Sequence, residues 1–153
     1  MKIEDIDQVL DIERSSFTAP WSRNLFLSEF RSPSVSQLKV ALANAGVRTV
    51  VGYIVCWFVA DELHILNLAV HPLSRRQGIA KRLVLAAIKH ARHKGARRAF
   101  LEVRSSNTAA QNLYSDLGFT GTSVRREYYD SPVEDAVVMA LGEGALENLA
   151  KSA

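Results

Sequence analysis

Residues 63–80 read LHILNLAVHPLSRRQGIA, and this stretch decides the fold class. Leu63–Val70 is a β-rich run, and His71-Pro72 ends the predicted strand because proline cannot donate to a sheet ladder. A predicted loop, Leu73–Gln77, then leads into a long predicted helix that begins at Gly78. A strand that passes through a short loop into a helix is the first half of a βαβ unit, which indicates a mixed α/β protein.

The second half of that unit follows directly along the chain. The predicted helix runs to about Lys94, and Gly95 ends it as a C-terminal glycine does. Arg98–Arg104 is the next predicted strand. The apolar stripe of the helix, at helical spacing, consists of Ile79, Leu83, Ala87 and Ala91.

Hydrophobic periodicity and turn signals predict the remaining elements. These are a helix carrying Ile6, Val9, Leu10 and Phe17; a helix capped by Ser22 and carrying Leu25, Phe26 and Phe30; strands Val35–Ala43 and Val47–Ala60, joined by a hairpin at Asn44-Ala45-Gly46; a helix Asn107–Leu117; and strands of about Phe119–Tyr129 and Glu134–Leu141. The order α-α-β-β-β-α-β-α-β-β predicts an α/β fold with an antiparallel front and a βαβ unit behind. We expect one domain, residues 1–141, and a tail, residues 142–153, that is weakly helical at most.

Composition excludes several classes of protein. Of 153 residues, 48% are hydrophobic and 23% charged, which is ordinary for a folded chain and excludes disorder as its main state. The longest apolar stretch, Val50–Ala60, is shorter than the roughly 18 residues of a membrane span. The acidic start, MKIEDIDQ, is unlike a secretory signal, and the single cysteine, Cys56, excludes a disulfide framework. We therefore expect a cytoplasmic protein with no membrane partner.

Basic residues are concentrated in one segment. From His71 to Arg98 there are nine Lys or Arg and no acidic residue, whereas the rest of the chain has ten basic and 16 acidic residues. Such a segment predicts a polyanionic ligand, although a solvated helix face gives the same pattern. The best anion site within it is the run Arg75-Arg76-Gln77-Gly78-Ile79-Ala80. Backbone N–H groups at a helix N-terminus bind phosphate, and glycine allows close approach.

Two further features suggest chemistry. Glu102 lies in the predicted strand Arg98–Arg104, which is otherwise apolar on both faces, so its carboxylate needs either an arginine partner or a function. Asn107 is a good helix N-cap, and Tyr114 lies two turns further along the same face. Tyr114 is therefore either a core residue with a surface hydroxyl or a functional group.

Nucleophilic and metal chemistry have little support in the sequence. Cys56 lies within an apolar strand, where a thiol is usually a small core residue, and no G-x-S-x-G elbow is present. His90 and His93 share a helix face but have no carboxylate nearby, so we expect a solvated surface and no metal. Neither a P-loop nor a G-x-G-x-x-G motif occurs.

Six motifs follow one another along the chain: Phe17-Thr18-Ala19-Pro20-Trp21-Ser22, Asn67-Leu68-Ala69-Val70-His71-Pro72, the Arg75–Ala80 loop, Leu101-Glu102-Val103-Arg104-Ser105-Ser106-Asn107, Asn112-Leu113-Tyr114 with Gly118-Phe119, and Arg125-Arg126-Glu127-Tyr128-Tyr129 with Glu134-Asp135-Ala136. In order and spacing they resemble the GNAT superfamily of acetyltransferases, and they are most similar to the RimI-type ribosomal-protein-alanine N-acetyltransferases. The resemblance covers about residues 1–141. Two departures are visible: His71 stands where an aspartate is common, and Ala80 replaces the usual last glycine of the loop.

This resemblance implies the GNAT acyltransferase fold, a mixed and mostly antiparallel sheet flanked by helices and splayed at the cofactor site, and we expect the sheet to open after Val70. It implies acetyl-coenzyme A as the acetyl donor, Glu102 as the general base and Tyr114 as the general acid. The residues implied to bind the cofactor are Leu68, Ala69, Val70, Arg75, Arg76, Gln77, Gly78, Ile79, Ala80 and Asn107. Those implied to flank a peptide N-terminus are Pro20, Trp21, Tyr128 and Tyr129.

The resemblance also implies a reaction: direct attack, in a ternary complex, by the N-terminal alanine of the ribosomal protein bS18. An α-amine has a pKa of about 7.7–8.0, so a base must remove its proton before it can attack. Another amine is the main alternative: a different protein N-terminus, a polyamine or a small molecule. A nucleic-acid-binding module is disfavoured because the basic helix has a full apolar stripe and few interleaved aromatics. We expect a monomer whose surplus cations contact ribosomal particles.

Overall fold

The structure, a computed structural model, describes residues 1–43 and 46–152. Within them the elements occur in the predicted order, with one helix added at the C-terminal end. The helices are α1 (Ile6–Ser16), α2 (Arg23–Phe30), α3 (Ile79–His93), α4 (Thr108–Asp116) and α5 (Glu143–Ser152). The strands are β1 (Ser36–Leu42), β2 (Val50–Val59), β3 (Glu62–Val70), β4 (Arg98–Arg104), β5 (Thr120–Asp130) and β6 (Val133–Leu141).

The strands form one open sheet in the order β1-β2-β3-β4-β6-β5. β3 and β4 are parallel and are connected by α3, as the βαβ pattern predicts, and the other neighbouring strands are antiparallel. The predicted fold class, a mixed and mostly antiparallel sheet flanked by helices, is therefore confirmed. β1 and β5 form the two edges.

Helices cover both faces of the sheet because the central strands are apolar on both sides. Side chains alternate along β2, so Tyr53 and Val55 join the core beneath α1 and α2, whereas Ile54 and Cys56 join the core beneath α3. All four side chains are fully buried. Burial of one large apolar side chain contributes about 1.5–3 kcal/mol, so this two-sided packing holds the centre of the sheet firmly.

Gly52 determines how closely α3 approaches the sheet. A Cβ here would lie 3.1 Å from the carbonyl oxygen of Ala69 and 3.2 Å from Cγ2 of Ile79, closer than side chains normally pack. Glycine therefore lets the first turn of α3 lie directly on the sheet. As a result, the N-terminus of α3 and the loop before it lie beside the C-terminal end of β3.

β3 and β4 pair over only part of their lengths. The parallel ladder begins at Glu62–Arg98 and ends at Ile65–Leu101, although both strands continue beyond these residues. Leu66 is an extra residue on β3, because the pairing with β2 shifts register there. A bulge bends its strand and increases its twist, which carries β3 away from β4. The sheet thus opens after Ile65, earlier than the expected position after Val70.

The first helix is shorter than its apolar pattern predicts. α1 ends at Ser16, and Phe17 has an extended backbone with φ −130° and ψ 142°. Phe17 is 36% exposed and is no part of the α1 core. The expectation that it continues the helical stripe is wrong, since the chain has already turned toward the loop before α2.

The C-terminal tail is more ordered than the sequence predicts. α5 spans Glu143–Ser152, and Leu146 is fully buried in the core with α3. The expectation of weak helicity at most is wrong, because this burial supplies stabilisation that a short local sequence with two glycines lacks.

The predicted hairpin between the first two strands lies partly outside the described residues, since Asn44 and Ala45 are not among them. β1 and β2 pair antiparallel, as expected. Across residues 1–43 and 46–152, no helix has the length and hydrophobicity needed to cross a membrane.

Candidate active site

The gap between β3 and β4 opens into a cavity of about 550 Å³. β3 lines it with residues 65–68 and β4 lines it with residues 101–104, the segments at and beyond the last paired residues. The end of α1 and the following loop form one wall, and α4 and β5 form another. The other lining residues are Glu13, Ser16, Phe17, Thr18, Ala19, Trp21, Ser106, Asn107, Ala110, Tyr114 and Tyr129.

Glu102 reaches the cavity because side chains alternate along β4. All three residues line the cavity, but Leu101 and Val103 are buried in the core with α3, whereas Glu102 alternates to the other face of the strand and is half-buried. Its Oε1 lies 3.2 Å from Nη2 of Arg125 on β5. The arginine partner considered for this glutamate is therefore present, and the carboxylate faces the cavity as well.

Tyr114 lies on α4, whose first turn is fixed by Asn107. Oδ1 of Asn107 accepts a hydrogen bond from the N–H of Ala110 at 3.1 Å, which is the predicted N-cap. The ring of Tyr114 packs edge-on against Phe119, with 5.6 Å between centroids, and the residue also lines the cavity. Burial raises the pKa of the Tyr114 hydroxyl, so this group remains protonated and available as a donor at neutral pH.

The loop before α3 has the backbone of an anion site. Arg76 and Gly78 have positive φ angles of 62° and 73°, and Gly78 is the N-cap of α3. A Cβ at Gly78 would meet no protein atom within 4 Å, so glycine serves the left-handed backbone here. The first N–H groups of α3 have no partner within the helix and lie at this end. Gln77 is exposed, Ala80 half-buried and Ile79 buried.

Two side chains of this segment are occupied by structural contacts. Arg75 donates from Nε to the Val70 carbonyl at 3.0 Å and from Nη2 to Oγ of Ser16 at 3.1 Å. It thus connects the end of β3 to the end of α1. His71, which stands where an aspartate is common, accepts from the N–H of Leu73 at 3.3 Å and so performs the capping that an aspartate would.

Leu68, Ala69 and Val70 form a strand with one free edge. They pair with β2 on one side, whereas the pairing with β4 on the other side has already ended at Ile65. An extended ligand can add to such an edge as a further strand. Leu68 lines the cavity, and Ala69 and Val70 are buried beside it.

Trp21 and Tyr129 are aromatic residues that line the cavity. The guanidinium of Arg104 lies 4.1 Å from the ring centroid of Tyr129, and burial raises the pKa of Tyr129 to about 12. Tyr128 packs edge-on against Tyr129, 5.1 Å between centroids, but Tyr128 and Pro20 are exposed and lie outside the cavity lining. The structure therefore brings two of the four expected peptide-flanking residues into the cavity itself.

Arg104 has a role that sequence reasoning did not assign. Its guanidinium donates to the carbonyl oxygens of Ser131 and Pro132 and to Oε2 of Glu134, each at 3.1 Å. Oε1 of Glu134 accepts from the N–H of Ser106 at 2.6 Å, and these hydrogen bonds hold the pKa of Glu134 below its usual range. The β5–β6 hairpin is thereby fixed to the cavity wall. No sequence signal reveals this, because the partners lie 27 to 30 residues apart.

Glu13 is the second residue that sequence reasoning missed. This carboxylate is fully buried at the cavity wall and accepts from Tyr53, from Nδ2 of Asn67 at 3.2 Å and from the N–H of Trp21 at 2.7 Å. Burial raises the pKa of Glu13 above its usual value. A signal was available: Glu13 falls between Leu10 and Phe17 on the apolar stripe, where a charged side chain is unusual.

Other reactive groups are not placed for chemistry. Cys56 is fully buried and burial raises the pKa of its thiol, so it is a core residue as predicted. Among residues 1–43 and 46–152, no group of three His, Cys, Asp or Glu side chains is arranged to hold a metal ion.

One cavity is thus lined by a half-buried carboxylate, a tyrosine whose hydroxyl stays protonated and a strand edge that β4 leaves unpaired, and the N-terminus of α3 follows the end of that strand. Such a combination suits an enzyme that moves a group from an extended, phosphate-bearing donor to an acceptor with acid–base assistance. A sequence model of the acetyltransferase (GNAT) family matches residues 6–119. The chain belongs to this family and is an acetyltransferase.

Relatives of known name are similar over nearly the whole chain. A protein of Bacillus subtilis (strain 168) is 37% identical over 139 residues, which cover 91% of this chain and 90% of its own. The [ribosomal protein bS18]-alanine N-acetyltransferase of Haemophilus ducreyi is 34% identical over 141 residues, covering 90% and 94%.

Solved structures agree with these similarities. The crystal structure of the ribosomal-protein-S18-alanine N-acetyltransferase from Escherichia coli superposes with a TM-score of 0.83 at 31% identity, covering 94% of this chain and 90% of that one. A chain of the NatC complex bound to Gag peptide and CoA superposes with a TM-score of 0.80 at 25% identity, covering 93% and 94%.

Proposed function

We propose that this acetyltransferase moves the acetyl group of acetyl-coenzyme A to the N-terminal α-amine of a protein, the N-terminal alanine of ribosomal protein bS18. The observation that carries the chemistry is that Glu102 and Tyr114 line one cavity, at the place where β3 parts from β4. The names of the bacterial relatives, which cover nine tenths of this chain, support the choice of substrate.

The donor is proposed to lie along β3 and across the N-terminus of α3. Its pantetheine arm would pair with the free edge of Leu68–Val70, and its pyrophosphate would accept hydrogen bonds from the loop Arg75–Ala80. Asn107, at the start of α4, would contact the donor near its thioester. The CoA bound in the NatC complex supports this donor class for the family.

The proposed reaction is a direct transfer in a ternary complex, without metal. Glu102 takes a proton from the substrate ammonium, directly or through water, and the neutral amine attacks the thioester carbonyl. The C–S bond breaks as the tetrahedral intermediate collapses, Tyr114 protonates the leaving thiolate, and the second proton of the attacking nitrogen returns to the tyrosinate, directly or through water. The buried Cys56, whose thiol has a raised pKa, supports a route without an acetyl-enzyme.

The acceptor end of the cavity supports a peptide N-terminus as substrate. Trp21 and Tyr129 both line the cavity and would flank the first residue of a peptide, and Pro20 and Tyr128 are exposed next to them in the chain, where following residues would pass. A GNAT enzyme for another amine, whether a different protein N-terminus, a polyamine or a small molecule, is the second candidate.

The basic segment supports a contact with ribosomal particles. Lys81, Arg82 and Lys94 are exposed on α3 or at its end, and more cations lie here than the cofactor phosphates need. RNA would provide the matching negative charge. In this proposal the protein acts as a monomer in the cytoplasm, where ribosomal proteins are made; residues 1–141 carry all the site residues, and α5 completes the core of the same domain.

Competition between acceptors tests the proposal. Peptides with the first residues of bS18, the same peptides with another first residue, and a polyamine are incubated with the protein and acetyl-coenzyme A, and acetylation is measured by mass spectrometry. We expect the alanine peptide to have the highest kcat/KM. Faster turnover of the polyamine or of other N-termini would favour the second candidate, and an unacetylated bS18 alanine in cells lacking the protein would support the first.

A further inference from the structure

β5 departs from regular pairing beside the cavity. Its register jumps from Arg125 to Tyr129, while the partner strand β6 advances past one residue, Asp135. Three residues of β5, 126–128, therefore lie opposite a single residue of β6, so β5 has two extra residues here. We call this segment the β5 bulge.

Burial does not hold the β5 bulge in place. β5 is an edge strand, and its residues 120–128 are all exposed. Glu127, in the middle of the bulge, has a φ of +48°, in the left-handed region that non-glycine residues avoid. Such a backbone persists only when surrounding contacts impose it. Because the segment is exposed, hydrogen bonds rather than apolar packing must stabilise it.

Asp135 supplies those hydrogen bonds with both oxygens of its carboxylate. Oδ1 accepts from the N–H of Glu127 at 2.9 Å, and Oδ2 accepts from Nη1 of Arg126 at 2.6 Å. The N–H of Glu127, followed by the guanidinium, holds the pKa of Asp135 below its usual range, so the carboxylate is charged at neutral pH. The backbone oxygen of Asp135 accepts from both the N–H and Oγ of Ser105 at 3.1 Å, which anchors it to the turn after β4.

The residues on either side of the β5 bulge both belong to the active site. Arg125, just before it, pairs with Glu102, and Tyr129, just after it, forms a cavity wall under Arg104. Because strand side chains alternate between faces, a bulge shorter by one residue would turn Tyr129 away from the cavity. The number of residues held in the bulge therefore decides which side chain faces the substrate.

We propose that Asp135 is a positioning residue that shapes the acceptor side of the active site, by clamping the β5 bulge so that Tyr129 faces the cavity and Arg125 meets Glu102. It touches no reacting atom and acts through these two side chains. The part of this inference that concerns peptides rests on the proposed function.

Three variants separate the contacts. Asp135→Ala removes both hydrogen bonds to the bulge, Arg126→Ala removes only the exposed ion pair, and Asp135→Asn keeps an oxygen for the N–H of Glu127. We expect Asp135→Ala to lower kcat/KM for an alanine-starting peptide by about 10- to 100-fold, as misplacement of positioning groups does. Arg126→Ala should change kcat/KM by less than about threefold. The loss of kcat/KM in Asp135→Asn should lie between those of the two other variants. The affinity for acetyl-coenzyme A, measured by calorimetry, should remain unchanged in all three.

Two further measurements exclude a merely structural role. In a background that carries both Tyr129→Ala and Arg125→Ala, Asp135→Ala should cost little additional kcat/KM, because both residues through which it acts are gone, whereas a general loss of stability would add. Hydrogen exchange of the Glu127 amide should be slow in the unaltered protein and in Arg126→Ala, and fast in Asp135→Ala. If Asp135→Ala does not fold, the double variant Asp135→Ala/Glu127→Gly replaces it, since glycine adopts positive φ without strain.

The outcomes distinguish this inference from the proposed function. An unaltered protein that acetylates no peptide contradicts the proposed function, and the exchange of the Glu127 amide then still decides whether Asp135 holds the bulge. An active protein in which Asp135→Ala changes neither peptide kcat/KM nor amide exchange overturns the inference alone.

Discussion

Nη2 of Arg125 lies 3.2 Å from Oε1 of Glu102, so the candidate base is joined to a cation from the edge strand of the sheet. Arg125 is the more exposed partner, with 55% of its side chain accessible against 28% for Glu102. Exposed ion pairs contribute little to stability, about 0–1 kcal/mol. The pair therefore adds little stability, and removing each partner in turn distinguishes a purely structural glutamate from a catalytic one.

Glu102→Gln should lower kcat by about 10²- to 10⁴-fold at neutral pH, the usual contribution of a positioned acid or base. The affinity for acetyl-coenzyme A should change little, because the carboxylate faces the acceptor side. Raising the pH should restore part of the rate, since more of the substrate amine is then already neutral. Steady-state kinetics with an alanine-starting peptide over a pH series measures both effects.

Arg125→Ala is the matched control for that experiment. It breaks the same ion pair but leaves the carboxylate, so its kcat should fall far less than that of Glu102→Gln. Near-normal turnover by Glu102→Gln, or equal losses in the two variants, would mean that Glu102 is only a structural partner of Arg125.

Gly78→Asp should weaken binding of acetyl-coenzyme A by at least about tenfold, because like charges brought together cost several kcal/mol. The backbone at Gly78 has a φ of +73° and no protein atom lies within 4 Å of where a Cβ would stand, so the new carboxylate would face the proposed pyrophosphate site. Gly78→Asn is the control. Asparagine has nearly the same shape and tolerates left-handed backbone, but it carries no charge. Calorimetric affinities that are equal for the two folded variants would contradict an anion site here.

Glu13→Gln should change how stability depends on pH. Burial raises the pKa of Glu13, so the folded state binds this proton more tightly than the unfolded state does. The free energy of unfolding therefore falls as pH rises from the usual glutamate pKa, about 4.3, up to the raised one, and is level above it. Glutamine does not titrate, so the unaltered protein should lose stability relative to Glu13→Gln across that window.

Denaturant titrations of the two proteins at a series of pH values provide the measurement. Carboxyl groups with lowered pKa values, such as Asp5 and Glu134, give the opposite slope at lower pH, but they do so in both proteins and cancel in the difference. Parallel stability curves for Glu13→Gln and the unaltered protein would show that Glu13 titrates normally.

Local sequence signals predict the elements that meet at the gap in the sheet. β4 has its predicted bounds, Arg98–Arg104. The bounds of α3, Ile79–His93, differ from the predicted ones by one residue at each end. α3 has a regular apolar stripe with a glycine at each end, and β4 is a short apolar run, so local preference and burial agree in both. Glu102 on β4 and Tyr114 on α4 could be predicted as the base and the acid only with the help of the family resemblance, and these roles stay predictions.

Contacts between distant segments could not be predicted from local sequence signals. The Arg104–Glu134 pair and the hold of Asp135 on the β5 bulge join residues that no periodicity connects. The bulge at Leu66, which opens the sheet, depends on pairing with β2 as well as on β3 itself. The burial of Leu146 likewise depends on the core around α3, so the tail helix is stabilised by tertiary packing rather than by its own sequence.

Leu146→Ala should lower the free energy of unfolding by about 2–5 kcal/mol, the usual cost of truncating a fully buried leucine. Leu73→Ala is the control, because Leu73 is 87% exposed and its truncation should change stability by less than about 0.5 kcal/mol. Denaturant titration measures both. Equal, small effects would mean that α5 packs loosely and lies outside the cooperative core.

Tyr114→Phe should separate the chemical role of this residue from its packing role. Phenylalanine keeps the ring against Phe119 and removes only the hydroxyl, so stability should change by about 1 kcal/mol at most. Turnover should fall well beyond that, because the thiolate of the donor would leave without its proton. The thiolate of a donor whose thiol has a lower pKa leaves more easily without protonation. With such a donor, the difference in kcat between Tyr114→Phe and the unaltered protein should be smaller.

Cys56→Ala is the comparison that tests the direct route. Cys56 is fully buried beneath α3 with a raised thiol pKa, so its loss should reduce stability slightly and leave kcat nearly intact. Rapid quenching followed by mass spectrometry of the intact protein should then find no acetyl group on the enzyme during turnover. Equal losses of kcat in Tyr114→Phe and Cys56→Ala, or an acetylated cysteine in the quenched sample, would overturn the assignment of Tyr114 as the acid and replace direct transfer with a covalent route.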